Sequence, residues 1–141
     1  MKSMGVKFTP PDMSFDKEKT LKLGDKVIEL KFFAGGHTKG DIVVYLPKEK
    51  VLFSGDLFIK GSGLPDYRED SSVDNLIESM KKIQELDIDK IVCGHLYIAE
   101  KKDIQASIDK IIAFKAEVKK YVDQNIAPEK VAETMKLPEG E

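Results

Sequence analysis

Both histidines of the chain lie in short glycine-flanked phrases, His37 in Gly36-His37-Thr38 and His95 in Cys93-Gly94-His95. Asp56 closes a third such phrase, Ser54-Gly55-Asp56. Imidazole and carboxylate are the donors that hold zinc and related divalent ions. Each phrase follows a short apolar run: residues 27–33 lead to His37, 51–53 to Asp56 and 91–93 to His95. Runs of that length and composition are strand-like. Side chains just beyond the carboxyl ends of strands gather along one edge of an open α/β sheet, where such sheets build their sites. The spacing therefore predicts a metal centre formed by His37, Asp56 and His95. Three donors suffice for one ion with an open position but fall short for two ions held side by side.

The elements that must position these residues follow from periodicity. Residues 21–23 and 27–33 read as two strands around a tight turn at Gly24-Asp25. Residues 41–46 and 50–54 read as a second hairpin across Pro47-Lys48-Glu49, and its unbroken apolar runs predict strands covered on both faces. A loop follows over 57–70. Ser71 is expected to open a helix, with Asp74 at capping-box spacing and Val73, Leu76, Ile77, Met80 and Ile83 on one face. Residues 89–93 form a short strand, and a longer helix over 103–124 turns Ile104, Ile108, Ile111, Ile112 and Val118 to one side. Pro128 starts a last short helix with Val131 and Met135 inward. This order predicts one mainly antiparallel sheet with helices on one face. The single domain divides into an irregular lead-in (1–18), the sheet with its metal-motif loops and one helix (19–100), and carboxyl-terminal helices (101–141).

With 141 residues the chain can build one core. Its 41% hydrophobic and 34% charged residues are those of a globular protein, and a net charge of −2 leaves no electrostatic footprint for nucleic acid or an anionic membrane. The start, Met1-Lys2-Ser3-Met4, lacks the apolar stretch of a signal peptide, and no segment reaches membrane-spanning length. The single Cys93 forms no intrachain disulfide and fits a reducing compartment, so a cytoplasmic location is expected. Cys93 itself reads as an inert core thiol, and the lysine-rich helices read as solvated faces.

The three phrases, in this order, resemble the metallo-β-lactamase superfamily of metal-dependent hydrolases, over roughly residues 12–137. His37 in Gly-Gly-His-Thr-Lys-Gly-Asp is similar to the superfamily's third metal motif. Asp56 in Val-Leu-Phe-Ser-Gly-Asp-Leu-Phe is similar to the carboxylate that bridges two metals, and His95 in Val-Cys-Gly-His to the final histidine motif. The resemblance implies half of an αββα sandwich, with zinc, or alternatively iron or manganese, as the metal. It also implies a hydrolase in which a metal-activated water attacks an ester, thioester, lactone or amide carbonyl. Asp56, fixing the bridging water, would be the catalytic residue. In the family the region after Gly61-Ser62-Gly63 helps line the substrate entrance, which nominates Leu64, Tyr67 and Arg68 as substrate contacts.

The family's main signature, His-x-His-x-Asp-His, is absent here. That implies a chain beginning inside the domain, after the first sheet and its signature loop. It would keep one histidine for the first metal (His37), the bridge (Asp56) and one histidine for the second (His95). Metal is then expected below stoichiometry, or not at all, without a partner chain. Thr38, Asp41 and Ser54 are candidates to orient the ligands. A lone half leaves one sheet face bare, and each Val, Ile, Leu or Phe that loses cover forfeits roughly 1.5–3 kcal/mol. A homo-oligomer or a companion chain is expected to cover that face. The alternative to the hydrolase is a non-catalytic half-domain, or one subunit of a split enzyme, acting through the same face.

Overall fold

The computed structural model describes residues 9–61, 70–95 and 97–135. Strands β1 (Glu18–Leu23) and β2 (Lys26–Lys31) form the first hairpin, β3 (Val43–Leu46) and β4 (Val51–Gly55) the second. Helix α1 (Val73–Glu85) leads to β5 (Lys90–Cys93) and to a two-residue strand β6 (Ile98–Ala99). Helices α2 (Lys101–Asp123) and α3 (Pro128–Thr134) complete the chain. The six strands make one sheet in sequence order, antiparallel throughout except for the parallel β4–β5 pair.

Strand direction explains the site. β3 is antiparallel to both β2 and β4, so β2 and β4 point the same way, and β5 runs parallel to β4. The carboxyl ends of β2, β4 and β5 therefore lie along one edge, and the chain leaves that edge toward His37, Asp56 and His95 in turn.

One face of the sheet carries the core. Tyr45, Leu52, Ile91 and Ala99 stand opposite one another across β3, β4, β5 and β6 and are all buried. They pack with Leu76, Ile77, Met80 and Ile83 of α1 and Ile104, Ile108 and Ile111 of α2 in a single cluster. The strand side chains between them point the other way, and that face is open: Phe53 is 42% and Ile98 64% exposed. The expectation of strands covered on both faces is corrected accordingly; the apolar runs are present, but among the described residues only the helix side is covered.

The helices differ from expectation in detail. Ser72, not Ser71, caps α1, its hydroxyl accepting from the Asn75 N–H at 3.2 Å. The Asp74 capping-box spacing falls away with that one-residue shift. Helix α2 starts at Lys101 rather than 103, and Asp103 accepts from the Glu100 N–H at 2.8 Å. Ile112 lies outside the buried stripe, because Ile104, Ile108 and Ile111 already fill the arc facing the sheet. Val118, Val131 and Met135 are half-buried and meet in an apolar groove between α2 and α3. Among the described residues no helix is long and apolar enough to cross a membrane.

Candidate metal centre

Three loops bring His37, Asp56 and His95 together at the shared edge. The Asp56 carboxylate stands between the histidines and offers one oxygen to each: Oδ1 lies 3.3 Å from His95 Nε2, and Oδ2 lies 3.9 Å from His37 Nδ1. Two ligands bonded to one tetrahedral zinc at about 2.0–2.1 Å sit about 3.3 Å apart, by the geometry of the tetrahedron. The Asp56–His95 pair has that spacing, and the Asp56–His37 pair is wider. His37 is 9% exposed, whereas the His95 side chain is 64% exposed. The donor chemistry suits a divalent metal, and the placement leaves one histidine on each side of the carboxylate. They do not fit a closed single-ion site: among the described residues no group of three His, Cys, Asp or Glu is arranged around one position.

The loop before His37 is held by α1. The Ser79 hydroxyl, fully buried, donates to the Gly35 carbonyl at 2.7 Å and accepts from the Ala34 N–H at 3.2 Å. The Ser72 N–H donates to the Gly36 carbonyl at 2.8 Å, and the Ser71 hydroxyl to the His37 carbonyl at 2.5 Å. Gly36 passes so close to the helix that a Cβ would meet the Leu76 Cα at 2.7 Å. These three serines are site residues that sequence reasoning missed, apart from Ser71 as a presumed cap. Their signal is weak, since Ser71 and Ser72 beside a helix start read first as caps and Ser79 lies mid-helix among the buried residues of α1.

Thr38, Asp41 and Ser54 serve the loops rather than the ligand side chains. The Asp41 carboxylate accepts from the Thr38 N–H at 2.7 Å and from its hydroxyl at 2.6 Å, closing the turn after His37. The buried Ser54 hydroxyl donates to the Phe58 carbonyl at 2.8 Å and shapes the turn that carries Asp56. Behind Asp56, the Gly94 N–H donates to the Gly55 carbonyl at 3.0 Å, tying the Asp56 and His95 loops together. Cys93 is buried and free, as its place in the core predicts. Leu64, Tyr67 and Arg68 lie outside the described residues.

Comparison with known proteins places this geometry. The family described as "Metallo-beta-lactamase superfamily" matches residues 7–95, a span holding all three motifs. Over 109 residues the chain is 27% identical to a type 2 metallo-β-lactamase of Elizabethkingia meningoseptica, covering 75% of this chain and 44% of that protein. It is 33% identical over 88 residues to a hydroxyacylglutathione hydrolase of Bartonella quintana (strain Toulouse), covering 61% and 33%. Among solved structures, a metallo-β-lactamase from Pontibacter korlensis superposes with a TM-score of 0.65 at 23% identity, covering 73% of this chain and 49% of that one. The DIM-1 metallo-β-lactamase superposes with a TM-score of 0.61 at 26% identity, covering 70% and 46%. The chain spans less than half the length of these relatives. Its sheet and helices correspond to about half of their fold, and their superfamily is metal-dependent, typically on zinc. With a match extending over more than half of its residues, the chain belongs to the metallo-β-lactamase superfamily.

Proposed function

We propose that this chain forms part of a metal-dependent hydrolase acting on an ester, thioester, lactone or amide bond, with His37, Asp56 and His95 as metal ligands. The observation that carries the reading is the Asp56 carboxylate, which turns one oxygen toward each histidine. Zinc, or alternatively iron or manganese, would polarise the scissile carbonyl and lower the pKa of an attacking water. Within the chain, His37 and His95 would each bind one side of the centre and Asp56 would fix their separation. Asp56 would also accept a hydrogen bond from the attacking water and so orient it. Leu64, Tyr67 and Arg68 would contact the substrate. Neither charge nor composition supports a nucleic-acid or membrane role, and the lone buried thiol of Cys93 supports a cytoplasmic setting.

The ligand count supports a single partial domain, spanning 1–141, that binds metal fully only when further donors are supplied. Zinc titration by calorimetry on chelator-treated protein tests the reading, with Asp56→Ala alongside. Binding that Asp56→Ala weakens at least about tenfold supports it, by the usual cost of losing a ligand or its close support. Equal zinc binding by both proteins would sink it. Hydrolysis of simple ester and lactone substrates by the zinc-loaded protein then separates a working centre from a merely occupied one. A second reading, the non-catalytic half-domain or split-enzyme subunit, draws on the open sheet face, whose exposed Phe53 and Ile98 have no role in chemistry.

A further inference from the structure

The chains that leave Asp56 and His95 meet again at one carboxylate oxygen. After Asp56, Leu57 and Phe58 are buried in the core, and Lys60 brings its Nζ to 3.3 Å from Asp103 Oδ2. After His95 the chain turns sharply: the Tyr97 N–H donates to the His95 carbonyl at 2.7 Å, and the Cys93 N–H to the Tyr97 carbonyl at 3.1 Å. It then forms β6, with Ala99 buried opposite Ile91. The next N–H, that of Glu100, donates to the same Asp103 Oδ2 at 2.8 Å. Asp103 therefore holds the chain four residues past Asp56 and five residues past His95.

We propose that Asp103 is a positioning residue for the metal centre, a clamp that sets the Asp56 loop against the His95 loop. The inference rests on the reading of Asp56 and His95 as ligands. Before the ligands, the two loops are already tied, by the Gly94 N–H on the Gly55 carbonyl. That bond precedes both ligands in the chain, and the Asp103 clamp follows both. Loops tied on both sides of their ligands keep one geometry, whereas loops tied on one side can swing about that tie. A metal centre needs its donors held to a fraction of an ångström, so the second tie matters. The surroundings of Asp103 suit the task. Its side chain is 18% exposed and that of Lys60 39%, so the ion pair is partly shielded from water and keeps more of its strength. The neighbouring Lys102 turns to Glu100 instead, at 2.9 Å.

Cobalt titration of the full chain tests the proposal, because cobalt takes the same donors as zinc and its visible absorption reports their arrangement. Asp103→Asn keeps an oxygen for the Glu100 N–H and gives up the charge that holds Lys60. Lys60→Met removes the other partner and keeps the apolar stem. Lys50→Met is the control, since it breaks the Lys50–Asp87 pair, 2.8 Å apart, at the end of β4 remote from Asp56. Asp103→Asn and Lys60→Met are each expected to bind cobalt about threefold to fivefold more weakly, the upper range for a partly exposed ion pair. Their spectra are expected to change, the double variant to lose no more than either single one, and Lys60→Arg and Lys50→Met to match the wild type. Unchanged cobalt affinity and spectrum, or losses that add in the double variant, would overturn the proposal. Amide exchange in chelator separates this failure from that of the ligand reading, with faster exchange expected in both loops of both variants. Unchanged exchange there overturns the clamp whatever the metal does. A wild type that binds no cobalt, with exchange faster in both variants, sinks the ligand reading and leaves the clamp between the loops standing.

Discussion

Gly94 lies directly beneath the Asp56 carboxylate, close enough that a methyl group on its Cα would come within 2.2 Å of Oδ1. The same methyl would sit 2.8 Å from the Gly55 carbonyl carbon, so the clash is with backbone as well as with a movable side chain. The glycine of Cys93-Gly94-His95 is there because two loops must touch.

Gly94→Ala must therefore either rotate the Asp56 carboxylate or part the loops. Overpacking of this kind costs about 1–3 kcal/mol. Thermal unfolding of the variant is expected to show that loss, and, on the proposed reading, calorimetry to show zinc binding weakened at least about tenfold, because the oxygen turned toward His95 is displaced. A variant that binds zinc as the wild type does would mean that Oδ1 is not a ligand.

Ser79 offers a second test, away from the ligands themselves. Its hydroxyl is fully buried and joins α1 to the Gly35 carbonyl and the Ala34 N–H. Ser79→Ala strands both backbone groups, a loss of about 1–3 kcal/mol. If the hydroxyl positions His37, Ser79→Ala weakens zinc binding as well as stability, and Ser79→Cys restores neither fully, since a thiol is a poor hydrogen-bond partner. A loss of stability with zinc affinity intact would confine Ser79 to packing.

How far the sequence reached can be judged from particular residues. The turn at Gly24-Asp25, the strands ending before His37, Asp56 and His95, and the buried stripe of α1 were legible because local chemistry sets each of them. Strand β6 was not: Ile98–Ala99 is too short for periodicity to register, and it exists only because β5 offers an edge to pair with. The cap of α1 slipped by one residue because Ser71 and Ser72 are equal candidates until the His37 carbonyl claims Ser71. Ile112 carries the same apolar signal as Ile111, and only the position of the sheet separates them. The convergence of three donors was legible as a shared edge. The split of Asp56 between two histidines depends on loop geometry that no spacing reveals.

At the start of α2, Asp103 accepts from the Glu100 N–H and pairs with Lys60 at 3.3 Å. The backbone N–H first, and the Lys60 ammonium after it, hold the Asp103 carboxyl below its usual range, against the opposing effect of burial. A carboxyl depressed in the folded state contributes stability that is present above its unfolded pKa and fades as pH falls through the folded one. Asp103→Ala is thus expected to cost about 1 kcal/mol at neutral pH, the usual value of such a cap. The gap from wild type should close below the ordinary carboxylate range. A pH series of melting temperatures checks this, and a gap that stays constant into acid would rule out the charged form as the source.

His95 gives the sharpest separation between a ligand and a structural residue. Its side chain is 64% exposed, so His95→Ala removes little packing and should shift stability by less than about 0.5 kcal/mol in chelator. On the proposed reading, zinc at a concentration about 100 times its Kd would add about 2.7 kcal/mol to the stability of a protein with one such site. The wild type is therefore expected to melt at higher temperature as zinc is added, and His95→Ala to lose much of that gain while melting normally without it. The buried His37 is expected to behave differently, because His37→Ala leaves a hole at a buried position and lowers stability in chelator as well. Unfolding curves with and without zinc for these two variants decide the matter. If both follow the wild type in zinc, the two imidazoles are not ligands, and the 3.3 Å approach of His95 to Asp56 is an ordinary surface contact.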